Sequence, residues 1–315
     1  MKSKSLSVGL IGAGSMGKNH IRVISLLKDF DLSIICDPNE NLLKEYSKNL
    51  GIKTTSNIDE LNQCDAVIIS SPTIYHLEAV TSLAPNVKNF FVEKPMVASL
   101  LEAKSLKDLI DKYDLNLQVG FIERFNPAIL ALSKIMESSG KVINLDFTRA
   151  NKVERILDVD VITDLMIHDI DLALFLNGPI KNITANGSII NNSAEFCIAT
   201  FEHENGSHSR LLASKVTNKK IRSVHLTTTK CFIDCDLLKK EIFMNKTSDL
   251  LNDTNDFYRV ESTSETIEVG YQEALLSELI AFREYCNNNN HNVPSFKDGY
   301  NALHIVEIIQ SQLYS

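Results

Sequence analysis

The chain has 315 residues, which is longer than most single domains and predicts two domains, each with its own core. With 44% hydrophobic and 23% charged residues, its composition is that of a globular protein in water. The net charge of −8 comes with no basic stripe, which argues against nucleic-acid binding.

No apolar stretch reaches membrane-spanning length. Lys2 and Lys4 precede an apolar run, but that run ends in a glycine turn without a small-residue cleavage site. We therefore expect no signal peptide, no membrane contact and a cytoplasmic location. The scattered cysteines show no zinc spacing and are expected to be core thiols.

The first predicted strand, Leu6 to Ile11, runs into Gly12-Ala13-Gly14-Ser15-Met16-Gly17 and then into a helical pattern. In such a turn Gly12 allows tight backbone angles, Gly14 lets a pyrophosphate approach the main chain, and Gly17 lets helix and strand pack closely. The helix start, at Ser15 and Met16, would face the phosphates. This pattern predicts a dinucleotide site.

A second predicted strand, Leu32 to Cys36, ends in Asp37, twenty residues after Gly17. An acidic side chain at this distance accepts hydrogen bonds from the adenosine ribose. A carboxylate there would repel a 2′-phosphate, so Asp37 predicts NAD rather than NADP. The alternative is that Asp37 only caps the next helix or belongs to a turn.

Strands and helices alternate as far as Val119, which predicts a parallel, doubly wound sheet in a dinucleotide-binding domain of residues 1–121. Ligands bind beyond the carboxyl ends of such strands. Two polar segments fall at these ends, Ser71-Pro72-Thr73 and Glu93-Lys94-Pro95.

In residues 122–315, strands no longer alternate with helices but follow one another directly. This half is predicted to be an α+β domain with a mostly antiparallel sheet. Asn126 and Pro127 are placed to begin a helix. Consecutive strands are predicted at 180–190, 195–201, 207–215, 221–228, 231–236 and 241–244, a polar loop at 245–256, and helices at 271–286 and 298–313.

Lys94 lies at the end of a predicted parallel strand, on the side where the glycine turn would hold a cofactor. A lysine beside a nicotinamide ring is suited to proton transfer. An isolated Glu-Lys-Pro is more often a surface lysine paired with its neighbouring glutamate, so the motif needs support from the rest of the chain.

Asp164 and His168 are four residues apart on a predicted helix, Val161 to Leu176, and so share one face. A histidine beside a carboxylate is what a proton relay requires. The same pair also occurs in metal sites or as helix-capping groups, but no third and fourth metal ligand is evident, so we expect no metal.

Taken together and in order, these motifs resemble the Gfo/Idh/MocA family of NAD(P)-dependent sugar oxidoreductases. The resemblance is carried by Gly12 to His20, by Ser71-Pro72-Thr73 with His76, by Glu93-Lys94-Pro95, and by Asp164 with His168 and Asp169. It implies a Rossmann domain followed by an α+β domain whose open sheet forms a homodimer or homotetramer.

The resemblance also implies roles for residues. NAD would be held by Gly12 to Gly17 and Asp37, with Ser71, Pro72, Thr73, His76, Glu93 and Lys94 at the nicotinamide end. A sugar hydroxyl would lie between Lys94 and His168, with Asp164 orienting the partner residue or the sugar. The sequence leaves open which of Lys94 and His168 is the base.

Within the family, the segments 120–127 and 161–171 resemble the branch that oxidises UDP-N-acetylglucosamine at carbon 3. The product of that branch, a 3-keto sugar nucleotide, is passed to an aminotransferase for the synthesis of 3-amino sugars in lipid A or related glycans. Asp160 departs from the branch, where glycine is expected, and this puts the contact of its loop with substrate in doubt.

A diphosphate needs positive charge, and arginine's fork suits phosphate. The expected substrate-binding residues are Lys94, Arg124, Asn126, Arg149, Arg155, Asp164 and His168, with Lys152 nearby. Two alternatives stay open. The same chemistry would serve another polyol, such as an inositol or an aldose, and a non-catalytic NAD-binding regulator would keep the fold without needing two proton-transfer groups.

Overall fold

The computed structural model describes residues 5–152, 159–247, 251–252, 258–259, 262–287 and 292–314. Contacts divide the chain into a first unit, Met1–Ile122 with Ala274–Leu303, and a second unit, Glu123–Glu273 with His304–Ser315. The sequence predicts that all of 122–315 forms one domain. The difference is the segment 274–303, which groups by contact with the N-terminal part of the chain.

The described strands are β1 (Leu6–Ile11), β2 (Phe30–Cys36), β3 (Lys53–Thr55), β4 (Ala66–Ile69), β5 (Asn89–Glu93), β6 (Asn116–Gly120), β7 (Val142–Ala150), β8 (Ile180–Ile190), β9 (Ser193–His203), β10 (His208–Ser214), β11 (Ile221–Thr228), β12 (Cys231–Asp236), β13 (Glu241–Thr247), β14 (Leu251–Asn252), β15 (Tyr258–Arg259) and β16 (Ser262–Ile267). The described α-helices are α1 (Ser15–Ile24), α2 (Glu40–Leu50), α3 (His76–Leu83), α4 (Leu100–Tyr113), α5 (Pro127–Met136), α6 (Ile167–Asn177), α7 (Ala274–Cys286) and α8 (Phe296–Leu313).

In the first unit, β1 to β6 form a parallel sheet in the order β3-β2-β1-β4-β5-β6. The chain winds outward from β1 in both directions, so the sheet is doubly wound, as predicted. The topological switch lies between β1 and β4, and ligands of such sheets bind at the carboxyl ends of the strands there.

Helix α7 explains why 274–303 belongs to the first unit. Leu275, Leu279 and Phe282 recur at helical spacing and are buried in the core of the parallel sheet, where Phe282 contacts Phe91 of β5 edge to face. This packing holds the helix to the first sheet although it follows the second sheet in sequence.

In the second unit, eight described strands form a sheet in the order β16-β13-β12-β11-β7-β10-β9-β8. The pair β7 and β10 is parallel and the other neighbours are antiparallel, which confirms the predicted mostly antiparallel sheet.

Two segments of this unit differ from what the sequence predicts. The polar run 245–256 was predicted as a loop, but β13 continues to Thr247 and β14 follows at Leu251–Asn252. The rest of that run, 248–250 and 253–256, lies outside the described residues. Strand β16 was not predicted, because Ser262–Ile267 is a polar segment at the edge of the sheet without a buried alternating face.

The helix starts follow local sequence. The Asn126 side chain accepts a hydrogen bond from the backbone N–H of Ala128, with Pro127 in the first turn of α5, as predicted. Ser99 caps α4 in the same way. Among the described residues, no helix combines the length and the apolar character needed to cross a bilayer.

Candidate active site

The glycine turn follows β1 in the first unit and has the geometry that its sequence predicts. Gly12 has φ +87°, and a Cβ on Gly12 would lie 2.5 Å from the Ser71 nitrogen. A Cβ on Gly17 would lie 2.0 Å from the Gly12 oxygen. At Gly14, by contrast, a Cβ would have no atom of the described residues within 4 Å. Two glycines are thus required by close packing, and the third leaves the main chain open to a ligand.

Helix α1 begins directly after this open position. Its N-cap residue, Gly14, offers no side-chain cap, and the first turn contains no acidic residue. The first N–H groups of a helix have no acceptor within the helix, and the helix dipole makes this end positive. The exposed start at Ser15 is therefore suited to a pyrophosphate.

Asp37 follows β2 and is fixed by backbone groups. One carboxylate oxygen accepts from the Ala13 N–H and the other from the Asn39 N–H, each at 2.8 Å. The side chain of Asn39, not that of Asp37, caps helix α2. Each carboxylate oxygen has a second lone pair. Asp37 is thus held beside the glycine turn with acceptor capacity left for a ribose.

Ser71, Pro72 and Thr73 follow β4. The Ser71 hydroxyl is buried and has no hydrogen-bond partner among the described residues. A buried polar group without a partner is costly, and in a binding crevice it is a natural contact for a ligand. With the open Gly14 and the fixed Asp37, this orphaned hydroxyl makes the first unit fit an NAD molecule.

His76 is the first residue of α3 and is buried. Its Nε2 lies 2.8 Å from the Ser71 carbonyl oxygen, and its Nδ1 lies 3.1 Å from the Pro95 carbonyl oxygen. Through these two contacts the ring joins the segment after β4 to the segment after β5. Burial lowers the pKa of His76, and the neighbouring carbonyl groups only partly offset this effect.

Strand β5 ends at Glu93, and half-buried Lys94 follows, joined to Pro95 by a cis peptide bond. The Glu93 carboxylate lies 2.8 Å from Nε2 of the buried His20 of α1. Lys94 thus stands at the carboxyl edge of the parallel sheet, as the sequence predicts.

In the second unit, Asp164 and His168 lie where a turn of π-helix, Ile162–Met166, continues into α6. Turns of π-helix are rare and occur frequently at functional sites. Both side chains are partly exposed, while Ile162 and Met166 are buried.

Lys215 follows β10 and was not predicted as a site residue. It is buried, and its Nζ lies 3.2 Å from an Asp164 carboxylate oxygen and donates to the Val159 carbonyl. It could not be predicted from sequence, because Lys215 and Asp164 are distant in the chain and meet only where the π-helical turn packs against β10.

Asp160, the residue at which glycine was expected, forms hydrogen bonds within the protein through its side chain. One carboxylate oxygen accepts from the Thr163 N–H at 2.8 Å, and the other accepts from the Gln310 side chain at 2.7 Å. The aspartate therefore fixes the entry to the π-helical turn before Asp164.

Arg149 was expected to contact substrate, but the structure places it in a buried ion network. Its guanidinium donates to both carboxylate oxygens of Asp169, at 2.7 and 2.9 Å, and to Glu123 at 2.8 Å. Burial acts to raise the pKa of Glu123, but the charges and hydrogen bonds of Arg149 and Arg222 lower it overall. All three guanidinium nitrogens of Arg149 are thus engaged within the protein.

Arg124 and Asn126 are similarly engaged. Arg124 forms a two-pronged ion pair with buried Asp171, at 2.6 and 2.8 Å, and stacks on the ring of Phe175. The Asn126 amide donates to Glu123 and to the Leu237 carbonyl. Lys152 is exposed, and Arg155 lies outside the described residues.

Within the described ranges, no cluster of three or more histidine, cysteine or acidic side chains is arranged to hold a metal ion. All six cysteines fall in those ranges and are free thiols, five of them buried.

Comparison with known proteins identifies the family. A model described as "Oxidoreductase family, NAD-binding Rossmann fold", of the Gfo/Idh/MocA family, matches residues 6–121, and the model of the family's C-terminal domain matches residues 146–233. Together the two models cover more than half of the chain.

Individual relatives agree with this assignment. UDP-N-acetylglucosamine 3-dehydrogenase of Acidithiobacillus ferrooxidans is 27% identical over 240 residues, or 75% of this chain and 76% of its own. The scyllo-inositol 2-dehydrogenase (NAD(+)) of Bacillus subtilis is 32% identical over 58% of this chain and 57% of its own.

Among solved structures, that of UDP-N-acetylglucosamine 3-dehydrogenase from Acidithiobacillus ferrooxidans covers 98% of both chains with a TM-score of 0.87 at 24% identity, which shows the shared fold. A parallel sheet with the NAD-binding turn, the antiparallel sheet and the two family models all agree. The chain belongs to the Gfo/Idh/MocA family of NAD-dependent oxidoreductases.

Proposed function

We propose that this enzyme oxidises a sugar or sugar-nucleotide hydroxyl, and that its substrate is UDP-N-acetylglucosamine, oxidised at carbon 3 to the 3-keto sugar. The observation that carries the substrate is the match to UDP-N-acetylglucosamine 3-dehydrogenase over 240 residues. That match is longer than the Rossmann domain alone, which the family model matches at residues 6–121. The similarity therefore includes substrate-domain sequence.

In this proposal Lys94 and His168 act on the same substrate carbon. One of them takes the hydroxyl proton as the C–O bond becomes a carbonyl, and the other hydrogen-bonds the reacting oxygen. The chemistry that bound NAD would supply is acceptance of the hydride from this carbon. Asp164 orients the sugar or His168, and the buried Lys215 beside it fixes the carboxylate.

The cofactor contacts are assigned to the first unit. The main chain from Gly12 to Gly17 would hold the pyrophosphate, Asp37 the adenosine ribose, and Ser71 to Thr73 with Glu93 the nicotinamide end. His76 is assigned a bracing role, because its ring is buried between two backbone segments.

The ion pairs change which cations we assign to the diphosphate. Arg149 would have to give up buried carboxylate partners to bind it, so we give Arg149 a positioning role. Lys152, which is exposed, and Arg155 are the cations proposed for the diphosphate.

The second candidate function is oxidation of an uncharged polyol such as an inositol. The engagement of Arg124 and Arg149 by carboxylates favours it, because an inositol needs no phosphate-binding arginine. The relative named scyllo-inositol 2-dehydrogenase supports it too.

Two further proposals concern partners. A 3-keto sugar nucleotide is a substrate for an aminotransferase, which we propose as the next enzyme. We also propose that the chain forms a homodimer or homotetramer through the second sheet, where Phe232 and Phe243 are 41% and 38% exposed. The two rings lie on the same face of the sheet. Asp234 is two residues after Phe232 in β12 and so shares its face, and Asp234 pairs with Phe243 of β13.

A screen of UDP-sugars and polyols for NADH formation tests the function. A carbonyl trap or a partner aminotransferase is included, because the oxidation equilibrium can hide true activity. We expect UDP-N-acetylglucosamine to give the highest kcat/KM. A higher value for an inositol would replace the substrate by the second candidate, and no NADH with any hydroxyl compound would refute the function.

A further inference from the structure

A fully buried histidine joins helix α1 to the end of β5. His20 Nε2 lies 2.8 Å from a carboxylate oxygen of Glu93. Because a carboxylate offers only acceptors, Nε2 carries the hydrogen and donates it. The ring also packs edge to face on Phe91, with the centroids 5.2 Å apart. His20 thus contacts β5 at two positions just before Lys94.

The other Glu93 oxygen is confined by the neighbouring strand. A Cβ on Gly120 of β6 would lie 2.8 Å from Glu93 Oε2. Any larger residue at Gly120 would therefore force the Glu93 carboxylate out of its present position. The side chain of Glu93, only 13% exposed, is therefore held between an imidazole on one side and a glycine on the other.

A histidine at position 20 is less favourable than an apolar residue would be if the side chain only filled space in the core. The second ring nitrogen of His20, Nδ1, is buried and makes no hydrogen bond with any described residue. Burying a polar atom without a partner costs free energy, which phenylalanine or leucine would not incur. The Nε2 bond to Glu93 is the contact that an apolar residue could not make.

Helix α1 also carries the N–H groups assigned to the pyrophosphate, and Glu93 immediately precedes Lys94. We propose that His20 is a positioning residue, whose bond to Glu93 sets the place of Lys94 relative to the helix that binds the cofactor. This inference rests on the proposed role of Lys94. Neither His20 nor Glu93 exchanges a proton with substrate in this account.

Three substitutions of His20 separate a positioning role from a packing role. The amide nitrogen of glutamine stands as many bonds from Cα as Nε2 of histidine, so His20→Gln keeps the donor to Glu93. The amide nitrogen of asparagine matches Nδ1, so His20→Asn places its donor at the position that has no hydrogen-bond partner among the described residues. His20→Phe keeps the ring packing on Phe91 and removes both nitrogens.

We expect His20→Asn and His20→Phe to lower kcat about tenfold to 100-fold, because small displacements of a reacting group have effects of this size. NAD affinity, measured by binding titration, should change by less than about threefold, since the glycine turn is intact. His20→Gln should recover most of kcat.

A second readout does not depend on turnover. The rate at which an amine reagent modifies Lys94, measured by mass spectrometry of its peptide in the protein without NAD, should change several-fold in His20→Asn and His20→Phe. It should match the wild type in His20→Gln. Thermal unfolding of each variant reports any general loss of structure.

Equal kcat and equal Lys94 labelling in the Asn and Gln variants would overturn the proposal. So would losses in all three variants that simply follow their thermal stability. If the wild type oxidises no sugar, the proposed function fails, but the labelling experiment still decides whether His20 positions Lys94.

Discussion

At the scale of single residues, the contacts that sequence could predict are those fixed by local spacing. Gly12, Gly14 and Gly17 each have the steric surroundings that the motif implies. The partners of Arg149 could not be predicted, because Glu123 and Asp169 lie 26 and 20 residues away and meet it only in the folded unit. A lone arginine near a cleft has the same sequence signature whether it binds phosphate or carboxylate.

Replacing Lys94 by methionine tests its proposed role most simply. Methionine keeps the apolar stem but removes the amine, so turnover should fall by at least about 100-fold, the low end for loss of acid–base catalysis. NAD binding should stay within about twofold of the wild type. Steady-state kinetics and a binding titration measure the two effects.

Lys107 on α4 provides the control. It is exposed and pairs only with Asp111 one turn away among the contacts described, so Lys107→Met should retain wild-type turnover. Substantial activity in Lys94→Met would remove Lys94 from the mechanism.

At the scale of elements, alternation of strands and helices was readable because buried parallel strands are continuous apolar runs. Ala66–Ile69 is buried at every position. The polar edge strand β16 has no such signal, and its pairing with β13 depends on register rather than on its own composition. The π-helical turn before His168 was not readable either, since its sequence has ordinary helical spacing.

Loss of Arg149 should destabilise the second unit strongly. Arg149→Met leaves Asp169 and Glu123 as buried carboxylates without their main cation, which typically costs about 3–5 kcal/mol. Urea denaturation should show this as a lower midpoint.

The matched control is Arg210→Met. Arg210 pairs with Asp146 on the sheet surface and is 60% exposed, so its loss should cost less than about 1 kcal/mol. Similar costs for both arginines would mean that the buried network does not stabilise the fold.

Acid should reduce the contribution of buried His76 to the free energy of unfolding. Because burial lowers its pKa in the folded state, the unfolded state binds the proton more readily once the pH falls below about 6.5. The stability contribution is therefore full above this pH and is lost as the pH falls toward the folded-state pKa. The urea midpoint should drop between about pH 7 and pH 5.

His76→Gln tests the assignment, because its amide can still donate to the Ser71 carbonyl but does not titrate. The drop should be smaller in this variant, and a remainder is expected from His203, whose pKa burial also lowers. An unchanged pH dependence would show that His76 contributes nothing to it.

At the scale of the whole molecule, sequence order predicted two domains but could not assign α7. The apolar stripe of α7 indicates that the helix is buried, but it does not indicate which of the two sheets the helix packs against. The core of the first unit contains Leu275, Leu279 and Phe282, so the chain returns to its first unit after completing most of the second.

The proposed assembly predicts that charge on the exposed face of the second sheet will change the oligomeric state. Phe232→Asp combined with Phe243→Asp should shift the protein to a smaller species in light scattering after size exclusion, because apolar contact area would be lost. Asp substitution at Leu101, which is 78% exposed on α4, is the control and should leave the assembly intact. An unchanged mass for the double variant would locate the interface elsewhere.

In the proposed reaction, the hydrogen on carbon 3 of the sugar in UDP-N-acetylglucosamine is transferred to NAD. The most direct measurement uses substrate deuterated at that carbon, with a carbonyl trap present and the cofactor analysed by mass spectrometry. We predict that the NADH carries one deuterium and that it forms more slowly than with the unlabelled substrate. NADH without deuterium, or no NADH formed from this substrate, would refute oxidation at carbon 3.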